Sequence, residues 1–196
     1  MNWALFSIVI IGLSIMAFFW SYEKSQAGTK GIVIIATLAS LAAVSRIAFS
    51  AIASFKPTTF IIMISGYVFG PKTGFMVGAV TALVSNFFLG QGAWTPWQML
   101  CWGLCGVLAG VLGTRQSEFR PVIFTLLAGF CGYLFGFIMN IWHWVAFVYP
   151  LTLKTFMAVY AASFVFDSLH AAGNVVFAII FGPAFYKILR RFKKYI

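Results

Sequence analysis

The chain has 196 residues, of which 62% are hydrophobic and only 8% charged, with a formal net charge of +10. That composition excludes an ordinary soluble domain and makes a lipid-embedded one the expectation. The cations sit in short segments between apolar runs instead of along one polar face, so they read as topology signals and not as a nucleic-acid footprint.

A bilayer core about 30 Å thick takes roughly 20 apolar residues to cross as a helix. Apolar runs at approximately 2–20, 32–53, 58–70, 73–90, 97–113, 121–147 and 156–187 supply seven candidates. The first has no basic segment before it. Ser25-Gln26-Ala27 loosely resembles a cleavage site, yet the run reads as a retained helix, so 1–31 forms an N-terminal helix with its connection. The second carries Ala36, Ala39, Ser40, Ala42 and Ala43, small on several sides at once, and then a single cation, Arg46. The third is short and ends at Gly70-Pro71-Lys72, a tight turn in which Pro71 lacks an amide donor and Gly70 tolerates positive φ.

The fourth run repeats small residues at Gly74, Gly78 and Ala82 before Asn86. A connection from Gly90 through Gln91, Trp94, Thr95 and Trp97 to Gln98 leads into the fifth, which holds Gly106 and Gly110. The sixth places Gly132 and Gly136 before Asn140 and His143, and the seventh sets Asp167, His170 and Asn174 at i, i+3, i+7 spacing on one face. Small residues every four positions let helix backbones approach closely in lipid. Cys101, Cys105 and Cys131 all fall inside apolar runs and read as small packing residues instead of a disulfide framework. The expected fold is an all-α integral membrane bundle, six core helices over 32–196 with one helix added at the N-terminus.

With the C-terminus inside, the inner segments hold Lys24, Lys30, Lys72, Arg115, Arg120, Lys187, Arg190, Arg191, Lys193 and Lys194, against Lys56 and Lys154 outside. That bias satisfies the positive-inside rule and gives an external N-terminus for seven helices. Arg46 then lies about 20 Å from the inner end of its helix, at 1.5 Å rise per residue. Asp167 reaches a similar outer depth, so the two are expected to pair. The internal polar groups gather toward the outer side, and a pocket open to the outside accounts for this. Arg46, Asn86, Trp94, Trp97, Asn140, His143, Asp167, His170 and Asn174 are placed around it, with the Ser54-to-Thr58 connection as a lid. Aromatic faces, amides, two imidazoles, one cation and one acid suit a ring-containing solute bound by stacking and neutral hydrogen bonds. They do not suit a bare ion, and no metal site is expected, because Asp-x-x-His spacing is common by chance.

The chain has no His-Glu-x-x-His, no Gly-x-Ser-x-Gly and no pair of intramembrane aspartates, so an enzyme is not expected. A stand-alone secondary transporter usually needs more midplane carboxylates and broken helices. No Walker A motif is present, so the energy for transport has to come from a partner.

The stretch from Phe69-Gly70-Pro71-Lys72-Thr73-Gly74 through Ser85-Asn86-Phe87-Phe88-Leu89-Gly90-Gln91-Gly92 to Trp94-Thr95-Pro96-Trp97-Gln98 resembles the substrate-binding S components of energy-coupling factor (ECF) type ABC importers. Within that family it is most similar to those associated with cobalamin or corrinoid uptake. The resemblance covers approximately residues 32–190. It implies a six-helix core in the cell membrane that captures a vitamin at the outer face and has no cofactor of its own. It also implies docking onto a membrane coupling subunit powered by two ATP-consuming cytoplasmic ATPases. An alanine-x-x-x-alanine motif on the first core helix makes that contact in the family; Ala39 and Ala43 fit it, with Ala36 and Ser40 as an offset alternative.

Overall fold

The computed structural model describes residues 3–24 and 28–193; within the first helix, side chains are described for Leu5 and from Ile8 onward. Ser25-Gln26-Ala27 and Lys194 lie outside the described residues. Seven helices follow one another: α1 (Trp3–Glu23), α2 (Thr29–Ala48), α3 (Thr58–Phe69), α4 (Pro71–Leu89), α5 (Thr95–Thr114), α6 (Pro121–Phe147) and α7 (Leu153–Lys193). Among the described residues there is no strand. The second helix stops at Ala48, five residues short of the expected boundary, because the chain turns there and reaches positive φ at Ser54.

The main correction concerns α3. Its 12 residues span about 18 Å at 1.5 Å per residue, too little to cross a hydrocarbon core of about 30 Å. Every residue from Thr58 to Val68 is buried, and the helix touches α2, α4, α5, α6 and α7. The run is apolar because protein surrounds it, not lipid. Among the described residues five helices, α2, α4, α5, α6 and α7, are long and apolar enough to cross a membrane. Their outward faces carry Val33 and Val44 on α2, Phe87 on α4, Leu126 and Phe130 on α6, and Phe164 and Ile179 on α7, an apolar surface suited to lipid.

Glycines bring the helices together around α3. Gly66, Gly74 and Gly106 meet so closely that a Cβ on any of them would run into the backbone of another. A Cβ on Gly78 would sit 2.5 Å from the Trp102 carbonyl carbon, and one on Gly132 2.5 Å from Ala171 Cα. Gly70, at φ 98°, supplies the turn that lets Pro71 open α4 at a position where no amide donor is needed.

The small face of α2 is consumed in the same way. Ala39 and Ala43 are each only 1% exposed, and Thr81 Oγ1 on α4 donates to the Ala39 carbonyl at 3.4 Å. The expectation that Ala39 and Ala43 face a partner is therefore corrected: their small size serves the α2–α4 approach within the chain. Ala36 and Ser40 lie on the other side of α2 and are exposed.

α1 packs across α4, α5 and α6. Ile11 and Ile15 are buried, Phe18 stacks on Phe75 at 3.9 Å, and Lys72 Nζ donates to the Ser21 carbonyl at 3.3 Å. The two ends of the bundle differ in kind. At one, the Tyr67 hydroxyl donates to the Glu118 carbonyl at 3.1 Å and Phe119 stacks on Tyr186 at 4.9 Å. Exposed Lys24, Lys72, Arg115, Arg120, Lys187, Arg190, Arg191 and Lys193 ring this basic end. At the other, the loop end, segments 49–57, 90–94 and 148–152 connect the helices.

Candidate functional site

The polar groups of the loop end fall into two clusters. The first is centred on Arg46, near the C-terminus of α2. Its Nη1 donates to Ser85 Oγ at 2.6 Å and to Asn86 Oδ1 at 2.5 Å, and the guanidinium carbon lies 4.8 Å from the Trp102 ring centroid. Asn86 is buried and passes the network on, its Nδ2 donating to Thr95 Oγ1 at 2.9 Å and to Gln98 Oε1 at 2.8 Å. Thr95 donates in turn to Gln91 Oε1 at 2.8 Å, which ties the 90–94 loop to the network. On the other side of Arg46, Trp102 Nε1 donates to Thr59 Oγ1 at 2.9 Å, and that hydroxyl lies 2.8 Å from His170 Nε2. Having accepted from the indole, the Thr59 hydroxyl is free to give its own proton to Nε2. Residues from α2, α3, α4, α5 and α7 are thus linked by charge-assisted, neutral and cation–π contacts.

The second cluster belongs to the α6–α7 hairpin. Asn140 Nδ2 donates to Ser163 Oγ at 2.6 Å and to Asp167 Oδ2 at 3.2 Å, and Ser163 Oγ donates to the same carboxylate oxygen at 2.8 Å. Gly136 makes room, since a Cβ there would collide with the Asp167 carboxylate. Arg46 and Asp167 consequently do not pair as expected. Neutral donors hold the carboxylate on α6, while Ser85, Asn86 and Trp102 hold the guanidinium on α4 and α5.

The short third helix gives the site its depth. α3 starts at Thr58, level with Trp102 and His170 through the Thr59 contacts. Beyond that level α5 continues to Thr95 and α7 to Leu153, roughly 10 and 25 Å further at 1.5 Å per residue. Thr59, Trp102 and His170 therefore form a closed floor, Thr59 and Trp102 being buried, with the Asn86 and Asp167 clusters further out on α4, α6 and α7.

The remaining expected residues divide. Trp94 meets Trp142 edge-on at 6.2 Å, near the rim. Trp97 is buried on the opposite side of α5, among Ile11, Ile15, Phe75 and Ala79, so it faces α1 and not the floor. His143 is exposed beside Phe147, at 5.6 Å, and shares a groove of about 660 Å³ with Asn140, Thr155 and Ser163. Asn174 lies below the floor, fully buried, donating to the Ala128 carbonyl at 3.2 Å, while its Oδ1 has no hydrogen-bond partner among the described residues. The residues that sequence reasoning missed are Thr59, Ser85, Thr95, Gln98, Trp102 and Ser163. A signal for three of them existed, since Thr95, Gln98 and Trp102 fall at i, i+3, i+7 on one face of α5.

The 49–57 loop closes over α2 and α3. Phe55 packs on Phe177 at 5.4 Å, and Phe49 meets the same ring at 6.1 Å. In the same loop Lys56 is half-buried, and burial first, then the charge of Arg46, lowers its pKa below the usual lysine value.

A lipid-belted helical bundle whose polar side-chain network collects at one loop-closed end defines a multi-pass membrane protein built to hold a solute. The sequence model of the family described as ECF transporter, substrate-specific component matches residues 30–182. The chain belongs to that family, and is the substrate-binding subunit of an ECF transporter that works with a membrane coupling subunit and ATPases. α1 precedes the matched region. No curated protein and no solved structure matches the chain.

Proposed function

We propose that the protein captures a ring-containing micronutrient at the loop end, cobalamin or a related corrinoid being the first candidate. The loop end faces outward and the basic C-terminal end faces the cytoplasm, the orientation that the positive-inside rule favours. The subunit needs no cofactor of its own, and ATP is consumed by its partner ATPases. The observation that carries this reading is the Arg46–Trp102–Thr59–His170 chain, which gathers hydrogen-bonding groups and an aromatic face from separate helices at one depth. Cobalamin is supported by the likeness of the 69–98 stretch to corrinoid-associated S components.

Thermal stabilisation of the purified chain by a vitamin panel tests the reading, because a ligand of the folded state raises apparent stability. Cobalamin is expected to stabilise the chain without ATP. Stabilisation by another vitamin alone would keep the class and reject the corrinoid.

The coupling subunit is assigned to the exposed Ala36 and Ser40 side of α2, flanked by Val33, Leu41 and Val44. Ser40→Trp is expected to abolish co-purification with the coupling subunit while leaving solute binding intact. Retained co-purification would move the docking surface elsewhere.

A further inference from the structure

We propose that the captured solute carries an anionic oxygen group, a carboxylate or a phosphate, that seats between Arg46 and Lys56. This inference rests on reading the loop end as the solute site.

The chain has three acids. Glu23 ends α1 and Glu118 lies in the α5–α6 connection, both at the basic end. Asp167 is occupied by Asn140 and Ser163 on the α6–α7 wall. The loop end therefore holds Arg46, Lys56 and the exposed Lys154, with its one acid already engaged elsewhere.

The recorded partners of Arg46 are all neutral: Ser85, Asn86 and the Trp102 ring. Neutral hydrogen bonds orient a guanidinium without cancelling its charge, and a cation partly removed from water stays costly until an anion reaches it. Only Nη1 is engaged; among the described residues no hydrogen bond is recorded for Nε or Nη2. Those two nitrogens form the side edge of the guanidinium fork, which matches two oxygens of one carboxylate or phosphate. Ser85 and Asn86 fix the direction of that edge, and Trp102 covers one face of the plane.

Lys56 supplies the second cation. It is half-buried in the 49–57 loop, two residues before Thr58, whose hydroxyl lies 3.4 Å from the hydroxyl of Ser45, the neighbour of Arg46 on α2, and it feels the charge of Arg46. Two like charges sharing a poorly hydrated space repel each other, and one anion between them would convert repulsion into attraction at both. A neutral ring system bound only by stacking leaves that repulsion in place.

The experiment uses the purified full-length chain, with affinities measured by calorimetry. The probes are cobalamin, which carries a phosphodiester; cobinamide, the macrocycle without it; the carboxylates biotin and pantothenate; neutral riboflavin; cationic thiamine; and inorganic phosphate. The expected result is tight binding of an acid-bearing probe, weakened about tenfold or more by Arg46→Gln and by Lys56→Gln, and unchanged by Lys154→Gln. Cobalamin binding with cobinamide failing identifies the phosphate as the source; biotin or pantothenate binding identifies a carboxylate. Should Arg46→Gln fail to fold, Lys56→Gln decides alone, because the Lys56 side chain makes no hydrogen bond among the described residues. Binding of riboflavin or thiamine in preference to every acid, or acid binding indifferent to Lys56→Gln, overturns the inference and leaves the solute site standing. Stabilisation by inorganic phosphate alone marks an adventitious ion only and also overturns it. Failure of the whole panel removes the solute-site reading and the inference together.

Discussion

The two polar clusters of the loop end contain similar side chains and do different work. The Asp167 cluster closes within one hairpin, Asn140 on α6 reaching Ser163 and Asp167 on α7. The Arg46 cluster joins five helices, α2 to α5 and α7, and its contacts run from Asn86 at one extreme to His170 at the other. A hairpin staple constrains elements that are already neighbours along the chain. A network across five helices senses their relative positions, and any solute entering it acts on all of them at once.

The largest expected effect comes from breaking the wide cluster at its hub. Asn86→Leu removes a buried amide that accepts from Arg46 and donates to Thr95 and Gln98. Losing an acceptor for a part-buried charge and the donor to Gln98, while Thr95 keeps Gln91 and Arg46 keeps Ser85, costs about 3 kcal/mol. Thermal unfolding of the purified variant should show a clear fall in midpoint together with loss of solute binding. An unchanged midpoint would mean that the five-helix network carries little of the fold.

A smaller effect is expected in the hairpin. Gly136→Ala places a methyl group where the Asp167 carboxylate lies, which displaces that side chain from Asn140 and Ser163. Overpacking of this kind costs about 1–3 kcal/mol. If the hairpin cluster is only a staple, solute affinity should stay within a few fold of wild type, on the order of the change that one exposed hydrogen bond makes. A loss of affinity as severe as that of Asn86→Leu would show that both clusters serve the solute and erase the distinction between them.

The same contrast explains what the sequence made legible. Membrane character, the short third run, the Gly70-Pro71 turn and the polar bias toward one end follow from composition and spacing, because each is a local property. Arg46, Asn86, Asn140, Asp167 and His170 were identifiable because an internal polar residue in an apolar helix announces itself. Their partners were not, since pairing depends on which helices adjoin. Arg46 was matched to Asp167 by charge, whereas the contact between α2 and α4 delivers it to Asn86. Ala39 and Ala43 show the same limit: small residues signal close approach without saying whether the approaching surface belongs to the same chain. Trp97 and Trp102 were equally available as indoles, and only the position of α1 decides that the first is covered by it.

The finest expected effect tests whether the wide cluster is electrostatically incomplete. Burial and the nearby Arg46 lower the pKa of Lys56 in the folded chain. The folded state therefore binds this proton less tightly than the unfolded state, and the charged form of Lys56 opposes folding. The penalty is present in full below the lowered pKa. It shrinks as pH rises from that value to the ordinary lysine value, where both states become neutral. Lys56→Met keeps much of the aliphatic stem and removes the charge, so at neutral pH the variant should unfold at a slightly higher temperature than wild type. The gap should narrow as pH rises through the lysine range. The side chain keeps some contact with solvent, so screening keeps the shift small. The informative comparison is with an acidic solute present. Saturating ligand should then raise the wild type above Lys56→Met, because the ammonium that opposes folding in the free chain becomes a partner for the bound anion. If the order of the two stabilities does not reverse on adding such a solute, Lys56 is not part of its seat, and the cation excess of the loop end has a purely structural cause.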